Sequence, residues 1–493
     1  MTFPITARYF CLPVDKKSPV VKLHFYSDGQ KFQEADISLG TDDNVDFYSA
    51  MDVEKYVGKT IEIAGEIPAG AGEKIHCQDK RPATEYAFRP QIHFAAETGW
   101  INDPNGLIYA NGVYHLYHQW NPFGTEWGNM HWGHGVSQDM ITWEHRPMAM
   151  EPDEYGTAYS GCAWQDRENT AGFGKDALLF LYTASGGCNQ WSIDAGNQHT
   201  QRLAVSTDGG ESLEKHGLIL GHIMGGNRDP KVFYHEESAA YVMVLFLDGN
   251  EFAIFRSQDL LHWTESQRFT ADKMWECPDL FRLEVDNALG AEVGEKKWVF
   301  WSADGYYMVG EFDGYRFTPE TEVLTAYSTD LGYAAQTFAG IEGRTVSVAW
   351  LRTENHRGNF RGMMSIPTEL SLMKVDGGWK MCFRPVREIW KRFSKYREHT
   401  VENGKVAVPM GGKPVIAVIN WKSGEKHIVK VGATEMEVGD SAQPLTLIVD
   451  HGIVEYFGDG GTVYGSMEAE EDVLSGEITV GSDAENICVF EML

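Results

Sequence analysis

The sequence predicts an all-β protein in which a β-propeller lies between two small β-sandwiches. Helical patterns are few, whereas short runs rich in β-branched and aromatic residues are frequent and are separated by turns that contain Gly, Asn or Asp. Three of these runs cover residues 113–120, 241–247 and 296–301.

An internal repeat is the second observation that predicts this fold. The pattern Ser-Gln-Asp-x-x-x-Trp occurs at residues 137–143 and again at 257–263, and related turns occur at 206–210 and 312–317. Their separations, roughly 50 to 70 residues, match one four-stranded propeller blade with its loops. The repeat therefore favours a propeller over other all-β folds.

Two flanking segments have a different pattern. Residues 1–85 alternate between apolar and polar positions, as at 60–64, and predict a small N-terminal accessory β-sandwich. Residues 391–493 contain further strand-like runs, such as 445–450, and predict a C-terminal β-sandwich. The propeller is expected between them, over residues 86–390.

Composition restricts the class of partner. The chain has 71 acidic and 42 basic residues, which gives a formal net charge of −29. A field of this sign repels polyanions, so we expect neither nucleic acid nor a membrane surface as a partner. A neutral ligand fits better.

Cysteine usage and the N-terminus predict the compartment. The seven cysteines are odd in number, scattered and without a Cys-x-x-Cys pair, so a zinc ribbon or a redox motif has no support. The N-terminal residues lack a basic segment followed by an apolar run, and no stretch reaches the ~18 apolar residues of a membrane helix. We expect a cytoplasmic protein, or a secreted one if a leader has been removed.

The segment Trp100-Ile-Asn-Asp-Pro-Asn-Gly106 is the most informative motif. Pro104 fixes the backbone directly after Asp103, and Asn102 supplies an amide donor beside the carboxylate. A plain Asx-type turn is the alternative interpretation.

A dense run of aromatic, imidazole and amide groups follows, at residues 118–122 and 127–134. Carbohydrate sites use this mixture, because aromatic faces pack on C–H surfaces while amides bind hydroxyls. His131 and His134 suggest a metal site as an alternative. Histidines at i, i+3 without a neighbouring carboxylate or thiolate more often have a structural role.

Two further acidic motifs complete the set. Asp229 follows Arg228, a pair that could also be a surface ion pair. Glu276 lies between Trp275 and Cys277, apolar neighbours that favour the protonated form a general acid needs. Cys277 as a nucleophile is the rival interpretation, but nothing basic adjoins it.

The three carboxylates come from separate predicted blades and could converge at the mouth of a propeller. Retaining glycoside hydrolysis requires a pair of carboxylates ~5–5.5 Å apart, so that one can attack the anomeric carbon.

These motifs, in this order, resemble glycoside hydrolase family 32, which comprises invertases, exo-inulinases and levanases. Residues 100–106 are similar to the family's Trp-Met-Asn-Asp-Pro-Asn-Gly block, with Ile101 in place of Met. Asp229 lies in a segment similar to the Arg-Asp-Pro block and Glu276 in one similar to the Glu-Cys-Pro block. Further similar segments are 119–122, 127–134, 159–161 and 361–370, and residues 328–337 resemble a shorter version of another family segment.

The resemblance implies a five-bladed propeller and a retaining β-fructosidase without metal or organic cofactor. It implies that Asp103 is the nucleophile, that Glu276 is the acid/base, and that Asp229 holds fructose hydroxyls and stabilises the transition state. The residues it implies for substrate binding are Asn102, Gln119, Trp127, Ser160, Arg228 and Trp350.

The implied substrates are sucrose, fructo-oligosaccharides and the fructans levan and inulin, from which terminal fructose is released. An endo-levanase, a fructosyltransferase, an arabinan-type furanosidase and a catalytically dead fructan-binding protein are the alternatives. The N-terminal sandwich is absent from the best-known members of the family. Two roles stay open for it: an edge of the active-site rim, or a homodimer contact.

Overall fold

The computed structural model describes residues 1–41, 44–83, 89–286, 294–354, 358–401, 405–469 and 472–493. Within these ranges the protein is built almost entirely of strands, which confirms the all-β prediction. No helix in the described ranges is long and apolar enough to span a bilayer. The short helices are α1 (Ala71–Lys74), α2 (Gln190–Asp194) and 3-10 turns at Glu54–Tyr56, Glu236–Ser238, Arg387–Arg392, Asp459–Gly461 and Val473–Ser475.

Seven strands near the N-terminus form two antiparallel sheets. They are β1 (Thr2–Pro4), β2 (Tyr9–Val14), β3 (Val20–Ser27), β4 (Gln30–Ser38), β5 (Phe47–Asp52), β6 (Thr60–Ala64) and β7 (His76–Gln78). One sheet has the order β1-β6-β3-β4 and the other β5-β2-β7. Alternation along β6 buries Ile61 and Ile63, and side chains of both sheets share one core, as in a sandwich.

Five sheets follow, and their strands form the blades of the propeller. Blade 1 contains β8 (Gly99–Ala110), β9 (Val113–Asn121), β10 (His131–Ser137) and β11 (Trp143–His145). Blade 2 contains β12 (Thr157–Asp166), β13 (Ala177–Ser185), β14 (Thr200–Ser206) and β15 (Glu214–Leu220). Blade 3 contains β16 (Arg228–His235), β17 (Ala240–Asp248), β18 (Glu251–Ser257) and β19 (Thr264–Thr270).

Blade 4 contains β20 (Asp279–Glu284), β21 (Lys296–Trp301), β22 (Tyr306–Phe312), β23 (Phe317–Pro319) and β24 (Leu324–Thr325). Blade 5 contains β25 (Gly332–Thr337), β26 (Thr345–Leu351), β28 (Met363–Met364), β29 (Thr368–Val375) and β30 (Gly378–Pro385). Strand β27 (Phe360–Arg361) lies between β26 and β28 in the chain. It pairs in parallel with β8 and so joins blade 5 to blade 1. Among the first strands, β8 packs against β12 and β25, and β12 packs against β16. Asp279 at the start of β20 pairs with Lys231 of β16 and accepts from the Thr337 N–H of β25.

The sequence repeat marks one equivalent turn in four blades. In each case it connects the third strand to the fourth, at 137–143, 206–210, 257–263 and 312–317. The aspartates of these turns accept backbone N–H groups that follow them, and they are Asp139, Asp208, Asp259 and Asp313. The repeat therefore predicts the propeller because its aspartate closes the equivalent turn in each of these blades.

The C-terminal residues form two more sheets, a sandwich as predicted. The strands are β31 (Phe393–Thr400), β32 (Lys405–Pro409), β33 (Val415–Trp421), β34 (Ile428–Val431), β35 (Thr434–Glu437), β36 (Leu445–Asp450), β37 (Ile453–Gly458), β38 (Val463–Glu468), β39 (Glu477–Gly481) and β40 (Ala484–Met492). Their orders are β31-β40-β33-β36-β37-β38 and β32-β39-β34-β35. The predicted limit at 390/391 falls in the 3-10 turn Arg387–Arg392, and the limit at 85/86 lies outside the described residues, so both stay predictions.

A buried charged cluster joins the propeller to the C-terminal sandwich. His93 Nδ1 lies 3.0 Å from Asp450 Oδ2, and His93 Nε2 lies 3.0 Å from Glu455 Oε1, with all three side chains fully buried. Asp450 also accepts backbone N–H groups from Gln91 and Ile92. Burial lowers the pKa of His93, but the hydrogen bonds to the two carboxylates outweigh it and raise the pKa to about 9.

Candidate active site

A cavity of about 410 Å³ lies where the first strands of the blades begin. Every site residue predicted from the sequence lines it: Asn102, Asp103, Gln119, Trp127, Ser160, Arg228, Asp229, Glu276 and Trp350. Four further lining residues are Met130, Tyr159, His199 and Tyr333. The cavity thus combines side chains from all five blades or the segments that lead into them.

Asp103 lies inside β8 at a bulge, so the alternative of a plain Asx turn is wrong. The register of β8 against β9 shifts between Ile101 and Pro104, and this turns the carboxylate into the cavity. Ser160 Oγ donates to Asp103 Oδ2 at 2.6 Å, and Asn102 Nδ2 donates to Oδ1 at 3.1 Å. Burial raises the pKa of Asp103 and the nearby Glu276 carboxylate adds to the rise, while these two hydrogen bonds oppose it.

Asp229 is the second residue of β16. Its φ of 64° lies in the left-handed region, which residues other than Gly adopt rarely. Its N–H donates to Thr183 Oγ1 at 3.1 Å, and Cys277 N–H donates to its Oδ2 at 3.0 Å. Burial raises the pKa of Asp229 to about 7, although the Arg228 guanidinium opposes the rise. Blade 2 thus holds the Asp229 backbone, and the segment before blade 4 holds its carboxylate.

Glu276 precedes β20 and is held by an arginine and a tyrosine. Arg228 donates from Nε at 2.9 Å and from Nη2 at 2.5 Å to Glu276 Oε2. Tyr333 Oη donates to Glu276 Oε1 at 2.5 Å and itself accepts from Trp275 Nε1 at 2.8 Å. Arg228 is therefore part of the site, and its interpretation as a plain surface ion pair is wrong.

The setting of Glu276 differs from the sequence-based expectation. Its sequence neighbours Trp275 and Cys277 predicted an apolar surrounding, but the groups bonded to its two oxygens are Arg228 and Tyr333. Backbone φ angles of 24° at Glu276 and 45° at Cys277 turn the chain sharply here, so adjacent side chains point to different places. Local sequence could not give the direction of that turn.

Cys277 contacts the two other carboxylates. Its Sγ lies 3.6 Å from Asp103 Oδ2 and 3.5 Å from Asp229 Oδ2. Burial raises the pKa of the Cys277 thiol well above its usual value, and the three nearby carboxylates raise it further. Since the thiolate is the reactive form, this environment opposes the alternative in which Cys277 is the nucleophile.

Aromatic side chains form much of the remaining wall. Trp350 packs edge-on against Trp100 and Tyr333, with ring centroids 5.5 Å and 6.0 Å apart. Trp127 is 57% exposed, and Gln119 is buried and donates to the Ala158 carbonyl at 2.9 Å. The cavity thus offers both apolar faces and fixed polar groups, as carbohydrate recognition needs.

His131 and His134 are buried and do not line the cavity. His134 stacks on Tyr117 at a centroid distance of 4.0 Å and lies within hydrogen-bond distance of His115. Burial lowers the pKa of His131 to about 3. Within the described residues, no group of three His, Cys, Asp or Glu side chains is arranged to hold a metal ion.

Sequence reasoning gave no role to Tyr333 and His199. Tyr333 lies in the segment 328–337, which resembles a family segment, and that was the only available signal. His199 lies in no motif; Ser185 Oγ is 3.0 Å from its Nε2, and burial lowers its pKa to about 4, so the ring is neutral near pH 7.

The similarity of this chain to known proteins agrees with the geometry of the cavity. Residues 93–385 match the family model described as the glycosyl hydrolases family 32 N-terminal domain. The levanase of Bacillus subtilis is 37% identical over 334 residues, which cover 61% of this chain and 47% of the levanase. The extracellular exo-inulinase of Aspergillus niger is 33% identical over 361 residues, which cover 62% of this chain and 66% of that protein. The chain thus spans about half the length of the levanase and just under two thirds of the exo-inulinase.

Solved structures share the fold. A fructofuranosidase of Schwanniomyces occidentalis complexed with fructosylnystose has a TM-score of 0.72 at 22% identity, over 84% of this chain and 99% of that one. The exo-inulinase of Aspergillus awamori has a TM-score of 0.71 at 24% identity, over 83% and 99%. These neighbours confirm the propeller and the C-terminal sandwich.

Proposed function

This chain belongs to glycosyl hydrolase family 32, and we propose that it is a retaining β-fructosidase. Its substrates are sucrose, fructo-oligosaccharides or the fructans levan and inulin, from which it releases terminal β-D-fructofuranosyl residues. One observation carries the proposal: Asp103, Asp229 and Glu276, from three parts of the ring, face one cavity together with aromatic and amide groups.

Asp103 acts as the nucleophile. Ser160 and Asn102 hold its two oxygens by hydrogen bonds that favour the ionised form. The carboxylate attacks the anomeric carbon as the bond to the leaving oxygen breaks, and a covalent fructosyl–enzyme ester forms. Glu276 gives its proton to the leaving oxygen, so the aglycone departs as a neutral alcohol.

Water completes the reaction. Glu276, now ionised, takes a proton from water as the oxygen attacks the anomeric carbon, and Asp103 leaves as a carboxylate. Because each of the two steps inverts the configuration at the anomeric carbon, the configuration is retained overall. Arg228 and Tyr333 donate to Glu276 and steady the charge that it gains in the first step.

Asp229 holds hydroxyl groups of the sugar. Its carboxylate is fixed by the Cys277 N–H and lies beside Arg228, with 3.7 Å between Nε and Oδ2. Hydroxyl donors that strengthen their bonds to this oxygen in the transition state lower the barrier. A fructan-binding protein without activity has less support, because such a protein needs no acid/base pair.

A product profile tests the proposal. Sucrose, 1-kestose, inulin and levan are incubated with the protein and with the Asp103→Asn variant, and products are resolved by chromatography over time. Fructose as the first and only new sugar from the fructans is the expected result, with none from the variant. Longer fructo-oligosaccharides at early times would replace the proposal with an endo-levanase or a fructosyltransferase, and no product would favour the binding protein.

The cytoplasmic location and a homodimer stay predictions.

A further inference from the structure

Strand β4 of the N-terminal sheets contacts the rim of the cavity. In the order β1-β6-β3-β4, strand β4 lies at an edge, where its outer backbone groups need a partner. The rim of the propeller supplies this partner. Asn129 Oδ1 accepts from Asp36 N–H at 2.8 Å, and Asn129 Nδ2 donates to the Asp36 carbonyl at 2.8 Å.

The segment that makes this contact is the Trp127 loop, residues 122–130, which connects β9 to β10. One side of the loop bears Trp127 and Met130, which line the cavity. The other side bears Phe123, fully buried in the core of the N-terminal sheets, and Asn129. The loop therefore lies between the N-terminal sheets and the cavity.

His131 holds the end of the Trp127 loop through a hydrogen bond to the Asn129 carbonyl. Burial lowers its pKa to about 3, so the ring is neutral and carries one N–H. Its Nδ1 faces the Asn129 carbonyl, which can only accept, and its Nε2 lies 3.0 Å from the amide nitrogen of Gln33. This network assigns the proton to Nδ1 and makes Gln33 the donor to Nε2.

The same strand holds a second rim segment, the α2 segment at residues 186–199, which ends at His199 of the cavity. Glu34 Oε1 accepts from the Gln190 N–H at 2.7 Å. Lys31 Nζ lies 4.9 Å from the ring centroid of Trp191 and 3.0 Å from Glu34 Oε2. Two rim segments far apart in sequence are thus attached to one short strand.

We propose that β4 is a positioning element of the active site, in which Gln33 and Asn129 set the placement of Trp127 against the bound sugar. This inference rests on the proposed function and deepens it. The N-terminal sheets do not touch the reacting atoms. They act through the Trp127 loop, whose displacement by a fraction of an ångström weakens substrate binding and alignment.

Asn129→Gly in the full chain tests the inference. Asn129 has φ of 45°, and Gly adopts this angle without strain, so the variant keeps the backbone path accessible. It removes the two bonds to Asp36 and also the bond from Asn129 Nδ2 to Asn121 Oδ1, so Gln33→Leu, which leaves the Asn121 bond in place, is measured beside it. Asn111→Gly is the matched control, because Asn111 has φ of 52° and lies in the exposed turn between β8 and β9. Both variants are assayed with sucrose and 1-kestose for kcat and KM, alone and combined with Trp127→Ala.

We expect Asn129→Gly to lower kcat/KM about tenfold, mainly through KM, and Asn111→Gly to leave it within about twofold. In the Trp127→Ala background, Asn129→Gly should have almost no further effect, since the loop then has no indole to place. A full tenfold loss in that background, or an equal loss in Asn111→Gly, would overturn the inference.

Gln33→Leu gives the same test if Asn129→Gly does not fold, because it removes the donor to His131 and keeps a similar side-chain volume. A loss of about threefold that disappears in the Trp127→Ala background supports the inference. An unchanged kcat/KM refutes it. Failure of the proposed function is distinct, because the wild-type protein would then give no product or would give longer fructo-oligosaccharides first.

Discussion

Replacing His93 by Gln should destabilise the protein by an amount that depends on pH. In the folded protein the imidazolium is held between Asp450 and Glu455, and its pKa is raised to about 9 from the ordinary 6.5. At 1.36 kcal/mol per pKa unit, this difference corresponds to ~3 kcal/mol of folding stability.

The sign follows from which state holds the proton more tightly. Because the folded state binds it more tightly, the stabilisation is fully present below about pH 6.5, where unfolded His is also protonated, and is lost as the pH rises through about 9. The glutamine side chain of the variant cannot take up a proton. The stability difference between the wild type and the variant should therefore be largest near pH 6 and should shrink by ~3 kcal/mol towards pH 10.

Urea-induced unfolding at pH 6, 7.5, 9 and 10 measures this difference, because all other titrating groups are common to both proteins. Far-UV circular dichroism and Trp fluorescence are followed together, and coincident transitions show that one cooperative unit is observed. A difference that stays constant over this range would refute a charged His93. The cluster would then contribute only neutral hydrogen bonds.

Three further predictions concern the active site. Asp103→Asn should lower kcat on sucrose more than ~10⁴-fold with the thermal unfolding midpoint unchanged or raised, and substantial remaining activity would show that another group attacks the sugar. Glu276→Gln should slow sucrose hydrolysis far more than hydrolysis of a fructoside with an activated leaving group, which needs no proton; equal losses on both would indicate a structural role. EDTA should leave activity unchanged, and a loss restored by a divalent cation would mean that a metal takes part in the reaction.

The blade repeat and the carboxylates of the cavity were accessible from sequence for the same physical reason: each belongs to a motif of residues adjacent in the chain. Asp139 and Asp259 close their turns with backbone groups two and three positions later, so the pattern recurs wherever the turn recurs. Asp103 is likewise set by Pro104 and by a bulge within its own strand.

Two other contacts were not accessible, because their partners come from distant parts of the chain, a different blade for Tyr333 and the N-terminal sheets for Gln33. Tyr333 meets Glu276 across 57 positions of sequence, and Gln33 meets His131 across 98. Neither contact leaves a periodic pattern, since a single tyrosine or glutamine fits many environments. The polar setting of Glu276 was missed for a related reason, because the groups bonded to its oxygens, Arg228 and Tyr333, are distant from it in sequence.

Two of the proposed catalytic carboxylates, Asp103 and Asp229, are held in a state that opposes folding. Burial raises the pKa values of both Asp103 and Asp229, so ionising them at neutral pH costs folding free energy that a protonated or neutral residue would not. Non-glycine residues with positive φ, among them Asp229, Glu276 and Cys277, add backbone strain at the same place. Such an arrangement persists only if the surrounding contacts stabilise the folded state by more than the buried charges and the backbone strain destabilise it. Contacts between blades supply this stabilisation, such as those of Thr183 with Asp229 and of Tyr333 with Glu276. In the proposed mechanism the substrate therefore meets carboxylates that are already oriented, and the first chemical step moves a negative charge from Asp103 to Glu276, where Arg228 and Tyr333 donate hydrogen bonds.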